Sequence, residues 1–135
     1  MDQIIEISRE RKFSVLEAQG LVSLLLKITD EAQSHVKRLG TQIQAFGKRE
    51  TPHCKALQSE IDSIVEKWES KVRRLGATPK GLWLVDFDSG LGYYCWKFPE
   101  EKIQYFHGYQ DGFSKRVLIT EDGDSANHEN SNRPN

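Results

Sequence analysis

Residues 75–98 read LGATPKGLWLVDFDSGLGYYCWKF, and inside this stretch the spacing of apolar side chains changes from helical to alternating. Beyond the connector 77–81, the runs 82–87 and 93–98 are aromatic and apolar, and alternate positions share a face. Trp83, Val85 and Phe87 stand opposite Leu82, Leu84 and Asp86, while Tyr94, Trp96 and Phe98 stand opposite Tyr93, Cys95 and Lys97. Between the runs, Asp88, Ser89, Gly90, Leu91 and Gly92 read as a hairpin turn. Pro99, Glu100 and Glu101 turn the chain into a third run, 103–107, so a three-stranded antiparallel meander is expected over 82–107. Both of its faces are partly apolar. One is expected to cover helices, the other to be covered by Ile4, Ile5 and Ile7 of an N-terminal segment, 1–12, or by a second subunit.

Upstream of Gly76 the apolar spacing predicts two long helices. Ser14 and Glu17 form an S-x-x-E capping box, with Phe13 placed to staple onto Ala18. From there Val15, Ala18, Val22, Leu25, Thr29, Ala32, Val36, Leu39, Ile43 and Phe46 recur in steps of three and four, a coiled-coil-like seam with one polar interruption. Gly47 is a stop, and Thr51-Pro52 is an N-cap with proline at the first helical position. The second helix carries Cys54, Leu57, Ile61, Ile64, Trp68, Val72 and Leu75 before Gly76. The short connection implies an antiparallel helical hairpin over 14–75.

The width of the apolar stripe locates the sheet. Between Val15 and Ile28 the first helix adds Leu16, Leu21, Leu24 and Leu26 outside the seam, so that end must bury more than one face. The sheet is therefore expected on the open end of the hairpin, and residues 29–57 as a projecting arm about 25 Å long. Helices this short, joined by a narrow seam, need further packing. Association of two arms in a homodimer would supply it.

At 135 residues and a formal net charge of −1, the chain fits a single α+β domain over 13–120, with a C-terminal segment 108–120 after the meander. The last stretch, 121–135, has no large apolar residue and carries four carboxylates against Arg133, which predicts a disordered acidic tail. The longest nearly unbroken apolar run, Leu21 to Leu26, is too short for a membrane span. The first dozen residues are too charged for a secretory leader. Two cysteines rule out a disulfide scaffold and suggest a reducing, cytoplasmic setting.

The candidate site lies at the sheet. Asp86 on the first strand, with His107 and Asp111 after the third, offers an imidazole and two carboxylates for acid/base work or ligand binding beside Trp96, Tyr105 and Arg116. The competing, favoured reading is a latch, in which a carboxylate accepts from the imidazole or from Arg116 and holds the loop 108–113. A divalent metal is the third reading, weakened because no second histidine is usefully placed. Cys95 and Cys54 read as small core hydrophobes. Trp83, Tyr93, Tyr94, Trp96, Tyr105 and Phe106 would suit base stacking, but the hairpin's cations alternate with carboxylates, which disfavours a nucleic-acid partner.

Phe13, Ser14, Glu17 and Ala18, followed by Leu21, Val22 and Leu25, resemble the opening of an uncharacterised bacterial family, domain of unknown function 2203. Leu84 to Phe87, Cys95 and Trp96, then Ile103, Tyr105, His107, Asp111, Gly112, Phe113 and Arg116 resemble its closing pattern. Gln19, Ser23, Asp88 and Phe106 depart from it. The resemblance implies no activity. The sequence thus predicts an interaction or scaffold module that self-associates through its hairpin. A small-molecule binder or enzyme using Asp86, His107 and Asp111 is the alternative. No catalytic residue, metal or cofactor is assigned, and the expected partners are a second copy, another protein or a small ligand.

Overall fold

A computed structural model of the chain describes residues 11–47 and 50–119. The expectations for Ile4, Ile5, Ile7 and the acidic tail lie outside the described residues. Helices pack on one face of an antiparallel sheet, an α+β arrangement. The elements are α1 (Val15–Gln19), α2 (Val22–Ala45), α3 (Pro52–Arg74), β1 (Thr78–Gly81), β2 (Leu84–Asp88), β3 (Tyr93–Lys97), β4 (Tyr105–His107), a 3-10 turn (Phe113–Lys115) and β5 (Val117–Leu118).

Both predicted helix starts are capped as their sequences imply. Ser14 Oγ accepts from the Glu17 N–H at 3.1 Å while the Glu17 carboxylate accepts from the Ser14 N–H at 2.8 Å. Thr51 Oγ1 accepts from the Cys54 N–H at 3.1 Å, with Pro52 opening α3. The first helix is not continuous, however. Gly20 weakens it, and a tighter turn intervenes in which the Leu21 N–H reaches Ala18 O rather than the carbonyl one residue earlier. The side chain of Gln19, at this break, clamps the loop before β4. Its Oε1 accepts from the Ile103 N–H at 2.7 Å and its Nε2 donates to Glu101 O at 3.2 Å.

Cross-contacts show that α2 and α3 run antiparallel. Thr29 meets Trp68, His35 meets Glu60, and Phe46 meets His53, so one sequence number rises as the other falls. The main core takes Ala18, Val22, Leu25 and Ala32 from one side of the hairpin and Trp68 and Val72 from the other. Farther out, Leu39, Cys54 and Leu57 are buried between the helices. The sheet therefore meets the open end.

The sheet has five strands in the order β1-β2-β3-β4-β5, not three. The extra strands are its two edges. Thr78–Gly81 contains Pro79 and Gly81, which read as a connector but are tolerated at an edge. Val117–Leu118 is too short to leave a periodic trace. Leu82 and Trp83, expected in the first strand, make the turn from β1 to β2, and the Trp83 ring lies edge-on to Trp68 at 5.0 Å. Register pairs Asp86 with Cys95, Cys95 with Tyr105, and Tyr93 with His107. One face thus presents Val85, Phe87, Tyr94, Trp96 and Phe106 to the helical core. The other presents Asp86, Asp88, Tyr93, Cys95, Tyr105 and His107.

Candidate functional site

That second face carries a recess of about 220 Å³, lined by Lys80 on β1, Leu84 and Asp86 on β2, Tyr93 and Cys95 on β3, His107 on β4, and Tyr109, Asp111, Gly112 and Phe113 beyond it. Antiparallel register places its floor. Asp86 and Cys95 are direct cross-strand partners, and His107 lies one strand farther across, opposite Tyr93. All three side chains are buried, with Asp86 at 2%, Cys95 at 1% and His107 at 4% exposure.

His107 Nε2 lies 3.2 Å from Asp86 Oδ1, and its Nδ1 lies 3.0 Å from Gly108 O. A backbone carbonyl only accepts, so Nδ1 carries a proton and Nε2 is the nitrogen turned to the carboxylate. The hydrogen bond to Asp86, reinforced by one to Cys95, holds the imidazole up at about 10, against the opposing effect of burial. Asp86 Oδ2 is buried and has no hydrogen-bond partner among the described residues. Asp86 Oδ1 or Oδ2, Cys95 Sγ and a His107 ring nitrogen provide a set of donor atoms all within 4.8 Å of one another.

The walls are aromatic. Tyr93 packs edge-on to Tyr109 at 5.1 Å and tilted against His107 at 5.5 Å. Tyr109 donates its hydroxyl to Asp88 Oδ1 at 2.6 Å, which raises the phenol to about 12. Burial pushes Asp88 upward, but hydrogen bonds from Lys12, Tyr109 and the Gly90 N–H outweigh it and hold the carboxyl below its ordinary value. Lys80 and Asp111, both exposed, put one charge of each sign among the lining residues.

Of the residues expected at the site, Asp86, His107 and Asp111 line this recess. Arg116 and Tyr105 sit outside its lining and face each other. The guanidinium lies over the Tyr105 ring at 3.8 Å and over Phe113 at 4.2 Å, and it forks onto Glu100 at 2.6 and 3.1 Å. The carboxylate partner of Arg116 is therefore Glu100, and that of the imidazole is Asp86. Trp96 is placed on the opposite, helix-facing side, fully buried, donating its indole N–H to Glu100 O at 2.7 Å. Tyr94 and Phe106 join it in the core, so the six aromatics considered for base stacking do not share a face.

Cys95 is the floor residue that the sequence reads as a small core hydrophobe. Its burial suits a small hydrophobe, yet its neighbours across the strands are a carboxylate and an imidazole. A hairpin folded about Gly90 and Leu91 pairs residue 86 with 95, and that symmetry was the available signal. Cys54, the other thiol, is free and buried between the helices.

The model of a family described as Uncharacterized conserved protein (DUF2203) matches residues 11–119. No curated protein and no solved structure matches the chain. No helix among the described residues is long and apolar enough to cross a membrane.

Proposed function

The chain belongs to the family of domain of unknown function 2203, and from that membership, which brings no activity with it, we propose that it binds a small polar molecule in the recess on the outer face of its sheet. The observation that carries this reading is Asp86 Oδ2, a buried carboxylate oxygen with no partner among the described residues, at the floor of a recess that His107 and Cys95 also line. A buried acceptor left unsatisfied costs about 1–3 kcal/mol, and a ligand donor seated in the recess would recover it. The volume, about 220 Å³, is below the usual range for drug-sized ligands and suits a compact metabolite. Lys80 and Asp111 can meet a group of either charge, and Asp86 Oδ2 can accept a hydrogen bond from the bound molecule.

A ligand-observed NMR screen of small metabolites tests this reading. Hits are expected to shift the amides of Asp86, Cys95 and His107, and to be lost in Asp86→Asn while surviving His35→Ala on the hairpin. A screen whose only hits map away from the recess, or survive Asp86→Asn, would sink the proposal.

Self-association through the hairpin is the second reading, favoured by one feature. Leu24, 43% exposed, sits with Ile28 and Leu75 in a shallow, almost wholly apolar groove flanked by Lys71 and Arg74. A two-fold dimer covering this groove is the simplest closed form. Light scattering after size exclusion at tens of micromolar checks it, and a monomer mass removes the dimer. Two free, buried thiols fit a cytoplasmic setting for either reading.

A further inference from the structure

We infer that Asp86, Cys95 and His107 form a three-ligand site for a zinc-like divalent metal ion, with the fourth coordination position open to the recess. This deepens the ligand-binding reading by naming what occupies the floor, and it rests on the recess being the site. Gly108 O accepts from Nδ1 at 3.0 Å, which leaves Nε2 presenting a lone pair in the neutral ring. That lone pair faces a carboxylate oxygen at 3.2 Å. Two electron-pair donors so placed repel unless a positive centre lies between them, either a proton or a metal ion. A backbone carbonyl on the far nitrogen is also the partner that orients metal-binding imidazoles.

One nitrogen, one sulfur and one oxygen together suit zinc or a similar borderline ion, and neither calcium nor magnesium takes sulfur. Zinc bonds of about 2.0–2.3 Å put tetrahedral ligands roughly 3.4–3.6 Å apart. The three donors here lie within 4.8 Å of one another, so small side-chain rotations close the site.

A dication held by one carboxylate, one thiolate and one neutral imidazole is neutral overall, as a buried cluster must be. Arg116 Nη1 lies 4.0 Å from Cys95 Sγ, so a positive charge already stands beside the sulfur. Asp86 Oδ2, unpartnered among the described residues, gives the carboxylate a second oxygen for the ion or its bound water. Three protein ligands with one open position is the arrangement of sites that present a metal to a substrate, not of closed structural ones.

Cobalt(II) titration of the full-length, reduced, chelator-treated protein provides the test. One equivalent per chain is expected, with a thiolate-to-cobalt charge-transfer band and the strong visible bands of four-coordination. Cys95→Ser should abolish the charge-transfer band and weaken binding by about 100-fold or more, and His107→Ala and Asp86→Asn should each weaken it by at least about 10-fold. Cys54→Ser should change nothing. Near-ultraviolet circular dichroism of each variant separates lost ligation from lost folding. No binding by the folded wild-type chain, a six-coordinate spectrum, or a band that survives Cys95→Ser overturns the metal site and leaves a protonated His107–Asp86 pair in its place. Small-molecule hits in the recess without any cobalt binding would overturn the metal while keeping the ligand site. Cobalt binding without any hit in the recess would do the reverse.

Discussion

Trp68 donates its indole N–H to Thr29 Oγ1 at 2.8 Å, and both side chains are buried in the seam between α2 and α3. The single polar residue in the first helix's apolar stripe is thereby explained. It exists to satisfy the one polar atom of the largest side chain facing it. Thr29→Val keeps the shape and removes the acceptor, leaving a buried N–H unpaired, at a cost of about 1–3 kcal/mol. Urea denaturation should record that loss, and Trp68→Phe in the Thr29→Val background should cost less than Trp68→Phe alone. Additive losses would mean that the hydrogen bond contributes nothing.

His107 ties stability to pH in the metal-free protein. Its hydrogen bond to Asp86, aided by Cys95, holds it at about 10 in the folded chain against an ordinary value of 6.5. Between these values the folded chain keeps a proton that the unfolded chain has released, so stability falls as pH rises through that window. The contribution is complete below about 6.5 and gone above about 10. Urea midpoints at about pH 6 and about pH 9, taken with chelator present, should show the drop in wild type and a much smaller one in Asp86→Asn. Equal drops in both proteins would detach the effect from this pair.

The helices and their caps were legible because each rests on local chemistry: Ser14 with Glu17, Thr51 with Pro52, and a seam that needs only spacing. The edges of the sheet were not. Pro79 signals a break wherever it stands, and only the tertiary position of β1 as an outermost strand makes it tolerable. The site was half legible for a related reason. Alternation along one strand divides Cys95 from Trp96, but which of them shares a face with Asp86 depends on the register of the turn, where Asp88 pairs with Tyr93. Without that register Trp96 joined the candidate site and Cys95 the core. Glu100, which takes both the Arg116 fork and a bond from the Lys97 N–H, follows a proline in a loop and had no periodic signature at all.

Arg116 holds the C-terminal segment against the sheet with a planar group that lysine lacks. It forks onto Glu100 and stacks between Tyr105 and Phe113, contacts that an ammonium reproduces poorly. Arg116→Lys should lower stability by about 1 kcal/mol. Hydrogen exchange at the Arg116 and Ile119 amides, bonded to Phe113 O and Gln104 O, should speed up more than exchange in α2. Uniform acceleration would make the loss global and deny Arg116 a local role.

Two glycines should answer the same substitution with opposite signs. At Gly92, just before β3, a methyl group would stand 2.7 Å from His107 O and would also strike the Phe106 ring. Neither can retreat easily, because that carbonyl belongs to the end of β4 and Phe106 is packed in the core. Gly92→Ala must therefore push β3 and β4 apart beside the recess, at a cost of about 2–3 kcal/mol. At Gly40, inside α2, a methyl group meets nothing within 4 Å, and alanine restrains the unfolded chain while favouring the helix. Gly40→Ala should raise stability by about 0.5–1 kcal/mol and leave His107 chemical shifts unchanged, whereas Gly92→Ala should move them. A neutral Gly92→Ala would mean that β3 and β4 can separate without loss, contrary to the tight floor that holds Cys95 beside His107.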